Sequence, residues 1–346
     1  MDFRSDNTGG ASPEIIAALA REAGRHDSAY GADAVSVRLQ KTFADFFERE
    51  VAVFPVATGT AANALSLAAL APGYGAIYAH AQAHIAQDEA NAPEFFTGGA
   101  KLVAVPGTHG RLDCDPLRRR IATATPHGVH NAQPAAVSIS QTTELGTVYT
   151  PDAVAAVAEV AHSAGLGLHM DGARLANALV ALDCAPADIT WRAGVDILSF
   201  GATKNGALGA EAIVVFDPKR ATALPFLRKR AGHLLSKQRF AAAQFEAYLD
   251  GDLWRRNAGH ANAMARRLAE GLKTVRGASL PHPVEANALF PLLPDKVQVA
   301  LRDAGFLFGP WGEAGSGMVR LIASFDSEPA DVDRFIALSR KAGGTQ

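Results

Sequence analysis

The stretch Leu166-Gly167-Leu168-His169-Met170-Asp171-Gly172-Ala173-Arg174 reads as a short apolar run that ends in an acid. Val195–Phe200 repeats the pattern and runs into Gly201-Ala202-Thr203-Lys204-Asn205-Gly206. Short apolar runs bounded by glycine read as buried strands. Working outward, strands and helices alternate. Thr150-Pro151-Asp152 starts a helix, with proline in its first turn and an acid beside it. Val154, Val157, Ala158 and Ala161 follow at helical spacing, and Gly165 closes the helix. Val51–Val56, Val103–Pro106 and Ala135–Ile139 are earlier strand candidates, and Ala212–Phe216 is a later one. Leu39, Phe43, Phe46 and Phe47 share a helical face, and a small-residue helix, Thr60–Ala71, ends at Pro72-Gly73. This alternation predicts an α/β fold around a mainly parallel sheet.

Beyond residue 222 the pattern changes. Two long helices are predicted over 222–249 and 252–274. Ala286–Leu293, a helix over Val297–Ala304, Met318–Phe325 and a last helix from Pro329 follow. The expected organisation is an N-terminal arm and large α/β domain over 1–250, then a small α+β domain over 251–346.

The chain has 346 residues, 48% of them hydrophobic, enough for a sizeable core. Thirty-three Lys+Arg against 35 Asp+Glu leave a net charge of −2, with no electrostatic pull towards nucleic acid or anionic membranes. Two cysteines, Cys114 and Cys184, cannot make a disulfide framework. The N-terminus, MDFRSDNTGG, is charged at once and has no secretory apolar stretch. The expectation is a soluble cytoplasmic protein.

Four features carry chemistry. Ala57-Thr58-Gly59-Thr60 joins a strand to a helix, and free N–H groups with a Thr hydroxyl there suit a phosphate. Its plain reading is an ordinary helix cap. Asp171 stands at the carboxyl end of a buried strand, where α/β sheets bind ligands, or else caps the next helix. Lys204 sits between Gly201 and Gly206 after another strand, as a Schiff-base nucleophile or a surface lysine. His80 and His84, at i and i+4, fit a metal on one helical face less well than a flat ring packed on a cofactor or a surface histidine. Together, a phosphate cradle, an acid, a lysine and a flat ring make up a pyridoxal 5′-phosphate site. No metal is expected.

Arg4-Ser5-Asp6-Asn7-Thr8, Ala29-Tyr30-Gly31-Ala32-Asp33, Thr58-Gly59-Thr60-Ala61-Ala62-Asn63, His84, His169-Met170-Asp171-Gly172-Ala173-Arg174 and Thr203-Lys204-Asn205 occur in one order. In this the chain resembles the low-specificity L-threonine aldolases from about residue 2 to 325. The resemblance implies the pyridoxal-phosphate fold type I, the aspartate-aminotransferase architecture. It implies that Lys204 holds the cofactor, that Asp171 pairs with its pyridine nitrogen, and that Arg174 lies near its phenolic oxygen. Gly59 and Thr60 would bind the phosphate, and His84 would stack on the ring. Ser5 and Arg320 would hold the substrate carboxylate. A homotetramer is implied, built from dimers, in which Tyr30 or a basic residue of Arg228-Lys229-Arg230 reaches a neighbour's site.

Three segments depart from the family pattern. Ser140-Gln141-Thr142-Thr143-Glu144-Leu145-Gly146 lacks the histidine that many relatives place there against the substrate hydroxyl. Thr203 stands for the usual serine, and Gly232-His233-Leu234-Leu235-Ser236-Lys237 replaces a glycine-rich segment. The implied reaction is retro-aldol cleavage of a β-hydroxy-α-amino acid to glycine and an aldehyde. His84, or a water, is then left as the base, since threonine hydroxyls are too weakly basic. A β-eliminating lyase or an aminotransferase would use the same four features. A non-catalytic α/β binding protein would leave Lys204 at the surface and Asp171 as a cap.

Overall fold

A computed structural model of the chain describes residues 1–344. Its strands run β1 (Ala52–Val56), β2 (Gly75–His80), β3 (Lys101–Val105), β4 (Gly107–Thr108), β5 (Arg111–Leu112), β6 (Gln133–Ser140), β7 (Gly167–Gly172), β8 (Ile197–Gly201), β9 (Glu211–Val215), β10 (Ala288–Leu289), β11 (Gly309–Pro310) and β12 (Val319–Ile322). Seven of them form one sheet in the order β1-β9-β8-β7-β6-β2-β3. Neighbours are parallel except at β9, which is antiparallel to both β1 and β8. The carboxyl ends of β1, β6, β7 and β8 therefore share one edge with the start of β9. Every residue of β8 and β9 is buried, as the apolar runs require.

Helices cover both faces. In Gly59–Leu70 the Thr58 hydroxyl accepts the Ala61 N–H at 3.1 Å, a cap worth about 1 kcal/mol. Its small side chains let it lie close under the sheet, with Ala61, Ala62 and Leu65 buried against Ile197 and Ile213. On the other side Phe43 meets Phe200 of β8 and Phe245 edge-on, at 5.3 and 5.2 Å between ring centres. Pro151–Ser163 starts and stops where its proline and glycine predict, with Gly165 at φ +74°.

The predicted helix over 222–249 is two helices, Leu224–Arg230 and Arg239–Leu249. Gly232, at φ +80°, turns the chain between them, a conformation few other residues adopt. Ala286–Leu293 contains only the two-residue β10, whereas 252–274 holds a continuous helix, Leu253–Leu272. That helix serves two cores. Leu253, Trp254 and Ala258 join the main core, while Met264, Leu268 and Leu272 join a second one with Leu289, Leu321 and Phe335. Phe3 is fully buried in this second core, against Phe306 and Phe335. Its N–H donates to Leu307 O and its carbonyl accepts from Ile322. The N-terminal arm is thus held in the C-terminal part of the chain, and its next residues are carried across the sheet edge. Among the described residues no helix is long and apolar enough to cross a membrane.

Candidate active site

A cavity of about 350 Å³ opens at the edge where the strands end. Asn7, Thr58, Gly59, Thr60, His84, Asp171, Lys204 and Glu211 are among the residues that line it. The four sequence features therefore converge, from segments far apart in the chain.

Asp171 is the fifth residue of β7, and its carboxyl faces the cavity 8% exposed. Its Oδ2 accepts from Asn63 Nδ2 at 2.8 Å and its Oδ1 from the Ala173 N–H at 3.0 Å. Burial alone would push this carboxyl up, but the Lys204 ammonium, the Ala173 N–H, His84 and Asn63 together hold it below the usual carboxylate range. Two residues earlier, His169 is fully buried between Ser138 Oγ and Ser199 Oγ, at 2.9 and 3.0 Å. Burial lowers it to about 4, so it is a neutral link between β6, β7 and β8.

Lys204 lies in a single turn, Thr203–Asn205, after β8. Asn205 anchors that turn: its Nδ2 donates to Tyr248 Oη at 2.7 Å and to Trp254 O at 2.9 Å. Among the described residues Lys204 itself makes no side-chain hydrogen bond or ion pair. Burial, helped by Arg174, pulls its ammonium below the usual lysine value, against Asp6, Asp171 and Glu211. A lysine so placed is ready to lose its proton and attack a carbonyl.

His84 opens the short helix His84–Gln87, whereas His80 ends β2. The two histidines do not share a helix, so the helical metal pair does not form. His84 Nδ1 lies 2.8 Å from the buried Glu89 Oε1, which also accepts from Asn63 Nδ2 at 2.7 Å. Asn63 thus donates to both Glu89 and Asp171. The hydrogen bond to Glu89 raises His84 above its usual value although burial opposes it. Glu144, left unassigned by its sequence position, turns towards the same group. Its Oε1 accepts the His84 N–H at 2.8 Å and the Ser140 hydroxyl at 2.6 Å. Its Oε2 is buried with no hydrogen-bond partner among the described residues, and burial raises the carboxyl to about 7.

Arg174 grips Asp6 with two bonds, Nε to Oδ2 at 2.6 Å and Nη2 to Oδ1 at 2.8 Å. Asn287 Nδ2 also donates to Asp6 Oδ2, at 3.0 Å. This ties the arm, the end of β7 and the C-terminal part together, and removing one partner of such a buried pair costs about 3–5 kcal/mol. Arg320, on β12, is half-buried over the Trp311 ring at 5.6 Å and has no carboxylate partner among the described residues. Ser5 lies outside the cavity lining; its hydroxyl caps the turn Asp6–Thr8 by accepting the Asn7 N–H at 3.1 Å. Tyr30 is also outside it, 54% exposed, with Lys229 Nζ over its ring at 5.2 Å. Arg228 is buried and donates to Gln238 Oε1 at 3.2 Å, so it points inward.

The donor set fits pyridoxal 5′-phosphate. The Thr58 hydroxyl and carbonyl take up the N–H groups of Ala61 and Ala62, while the N–H groups of Gly59 and Thr60 precede the first intrahelical bond and line the cavity. A lysine with no hydrogen-bond or ion-pair partner among the described residues, and an ionised acid that accepts hydrogen bonds from an amide and a backbone N–H, complete the requirements.

The chain is similar to proteins already known. Residues 2–295 match the model of the beta-eliminating lyase family. The chain is 42% identical to the low specificity L-threonine aldolase of Pseudomonas aeruginosa, over 98% of this chain and 96% of that one. It is 39% identical to the enzyme of the same name from a Pseudomonas species, over 97% and 96%. The structure superposes on the Leishmania major threonine aldolase with a TM-score of 0.92 and 28% identity, over 98% of both chains. A Sphingomonas wittichii serine palmitoyltransferase shares only the fold, with a TM-score of 0.73 at 16% identity, over 99% and 87%. The architecture is that of the type I pyridoxal-phosphate enzymes. With identity of this extent and a cavity so lined, the chain belongs to the beta-eliminating lyase family, among its low-specificity L-threonine aldolases.

Proposed function

We propose that this chain cleaves L-threonine, L-allo-threonine and related β-hydroxy-α-amino acids, phenylserine-type ones included, to glycine and an aldehyde. The observation that carries the reading is the convergence of Lys204, Asp171 and His84 on one cavity in a chain 42% identical to a low specificity L-threonine aldolase. Bound pyridoxal 5′-phosphate supplies an electron sink for the pair released when the Cα–Cβ bond breaks.

The protein's own groups do the rest. Lys204 would hold the cofactor, and the lowered pKa of its ammonium eases loss of the proton that the amine must shed. Asp171 stays ionised and keeps a proton on the pyridine nitrogen. Gly59 and Thr60 would bind the phosphate, and Arg174, fixed by Asp6, would lie near the ring's phenolic oxygen. Arg320 takes the substrate carboxylate, because a half-buried guanidinium with no carboxylate partner among the described residues is suited to a bidentate anion. Ser5, on the arm that brings Asp6 and Asn7 to the site, shares the substrate carboxylate with Arg320. His84 accepts the β-hydroxyl proton; Glu89 on Nδ1 orients it and raises its basicity, and Glu144 fixes its backbone.

A division of the chain near residue 250 is supported by the two separate cores. The proposed assembly is a homotetramer in the cytoplasm, in which Tyr30, exposed on the outer surface, or a basic residue of Arg228-Lys229-Arg230 reaches a neighbour's site. Incubating the purified protein with L-threonine, L-allo-threonine and phenylserine, and assaying glycine and aldehyde together, tests the activity. Equal amounts of glycine and aldehyde are expected; a keto acid in place of glycine would refute the reading.

A further inference from the structure

Glu211 opens the one antiparallel strand of the large sheet, and that reversal brings its carboxyl to the edge where the parallel strands end. It pairs in register with Val56 on one side and Gly201 on the other. It is therefore set between the turn that enters the helix Gly59–Leu70 and the turn that carries Lys204. Only 8% of it is exposed, and it lines the cavity with Thr58, Gly59 and Thr60. A Cβ on Gly201 would lie 2.9 Å from Glu211 Oε2, and one on Gly59 would lie 3.6 Å from it. The carboxyl thus occupies the space that two glycines leave open, beside the N–H groups read above as the phosphate cradle.

An ionised carboxylate is out of place there. It would face a phosphate carrying close to two negative charges near neutral pH. Thr203 offers Glu211 its hydroxyl and its N–H, and Lys204 lies near; Asp171, from β7, pushes the other way. The helix Gly59–Leu70 and β1 present no charged side chain to it: Asn63 is committed to Glu89 and Asp171, and His233, whose Nδ1 accepts the Ala57 N–H at 3.2 Å, is held towards its neutral form by burial. Burial dominates, and raises Glu211 to about 7.

We propose that Glu211 enters the phosphate site as a neutral carboxylic acid and donates its proton in a hydrogen bond to a phosphate oxygen of the cofactor. The inference rests on reading this cavity as the pyridoxal-phosphate site. It makes cofactor retention depend on pH through one residue. Below about pH 7 the proton is already present when phosphate binds. Above it, binding must draw a proton from solvent, and affinity falls by up to about tenfold per pH unit.

The test compares the holoenzyme with Glu211→Gln, which keeps the shape and a donor but cannot ionise. Released pyridoxal 5′-phosphate is measured after dilution from about pH 6.5 to about pH 8.5, and infrared difference spectra are taken between the two proteins. The parent is expected to lose about tenfold or more in retention across that range while the variant stays level within about threefold. The difference spectrum should contain the band of a protonated carboxyl. Parallel pH courses, or no such band, would overturn the proposal. If the variant does not fold, the parent still decides, because retention that is flat across the range is incompatible with an obligatory proton. A chain that carries no pyridoxal phosphate at all would instead refute the reading of the cavity, so the two failures are distinguishable.

Discussion

Asp171 and Glu211 stand on the same edge of the large sheet with β8 between them, and both are 8% exposed. They face the same cavity and the same lysine, yet their environments drive them apart. Asp171 ends a parallel strand, where the next turn offers the Ala173 N–H and Asn63 offers an amide. Those donors and Lys204 outweigh burial, and the carboxyl stays ionised. Glu211 begins an antiparallel strand in the space left by two glycines; there the Thr203 hydroxyl and N–H and the nearby Lys204 do not offset its burial, and the carboxyl moves to about 7. One sheet edge thus holds an ionised carboxyl and a protonatable one, which on the proposed reading face the pyridine and phosphate ends of the cofactor. Titratable groups pushed apart in this way mark how a site divides its proton chemistry.

Lys204 lies between the two carboxyls, so removing it is the severest way to break the comparison. Lys204→Ala should abolish cleavage, by at least about 10⁴-fold, and remove the visible absorption of the lysine-bound cofactor. Borohydride reduction of the parent followed by peptide mapping should place the label on Lys204, and a label on another lysine would contradict the assignment. Asp171→Asn comes next. It preserves size and the bond to Ala173 but makes both carboxyl sites neutral. Turnover should fall by about 10²–10³-fold with modest loss of cofactor, as for other removals of an electrostatic stabiliser. Near-normal turnover would mean that Asp171 is only a cap.

The contrast between these two acids was half legible in the sequence. Asp171 was found because an apolar run pointed at it, and Lys204 because glycines bracket it. Glu211 stands at the head of Ala212–Phe216 and looks like the polar start of any strand. Its importance comes from the strand's direction, which local pattern does not reveal. Asn63 and Glu89 were hidden for a similar reason: an amide inside a small-residue helix and an acid after a histidine acquire roles only when β7 and the helix meet. Asp6 has no partner that the sequence reveals, because its arm is placed by Phe3 in a distant core. The run over 222–249 has the pattern of one helix, and its break at Gly232 depends on a positive φ that composition does not reveal. His80 and His84 have helical spacing, but the apolar residues 75–79 before them continue as a strand to His80.

His84→Phe asks whether the Asp171 side also contributes a base. The variant keeps a flat ring against the cofactor and removes the acceptor. Turnover of L-threonine should fall by about 10²-fold or more while cofactor absorption is retained. Cleavage within a few-fold of the parent would show that the ring only stacks. Arg320→Lys has a smaller expected effect and a different signature. A lysine cannot copy the two parallel bonds of a guanidinium, so KM should rise about 10–100-fold with the resting spectrum unchanged. An unchanged KM would assign the substrate carboxylate elsewhere.

The smallest effect expected is also the most diagnostic of how the Asp171 side is tuned. His84 can accept a proton only in its neutral form. Its hydrogen bond to Glu89 raises its pKa, so the acidic limb of kcat/KM in the parent should lie above the usual histidine value of 6.5. Glu89→Gln keeps the shape beside Asn63 and removes the anion. The limb should then move towards lower pH, by about half a unit to one unit, since one unit corresponds to about 1.4 kcal/mol of interaction. The sign is decisive. If Glu89 merely fills space, the variant loses activity evenly and the limb stays in place. If Glu89 tunes the base, the variant is weaker near neutral pH, where the parent's base is stronger, yet holds its remaining activity further into acid. Glu144→Gln is the control, because Glu144 touches His84 through its backbone N–H and not through the ring. It should lower turnover by disturbing the position of His84 while leaving the limb where the parent has it.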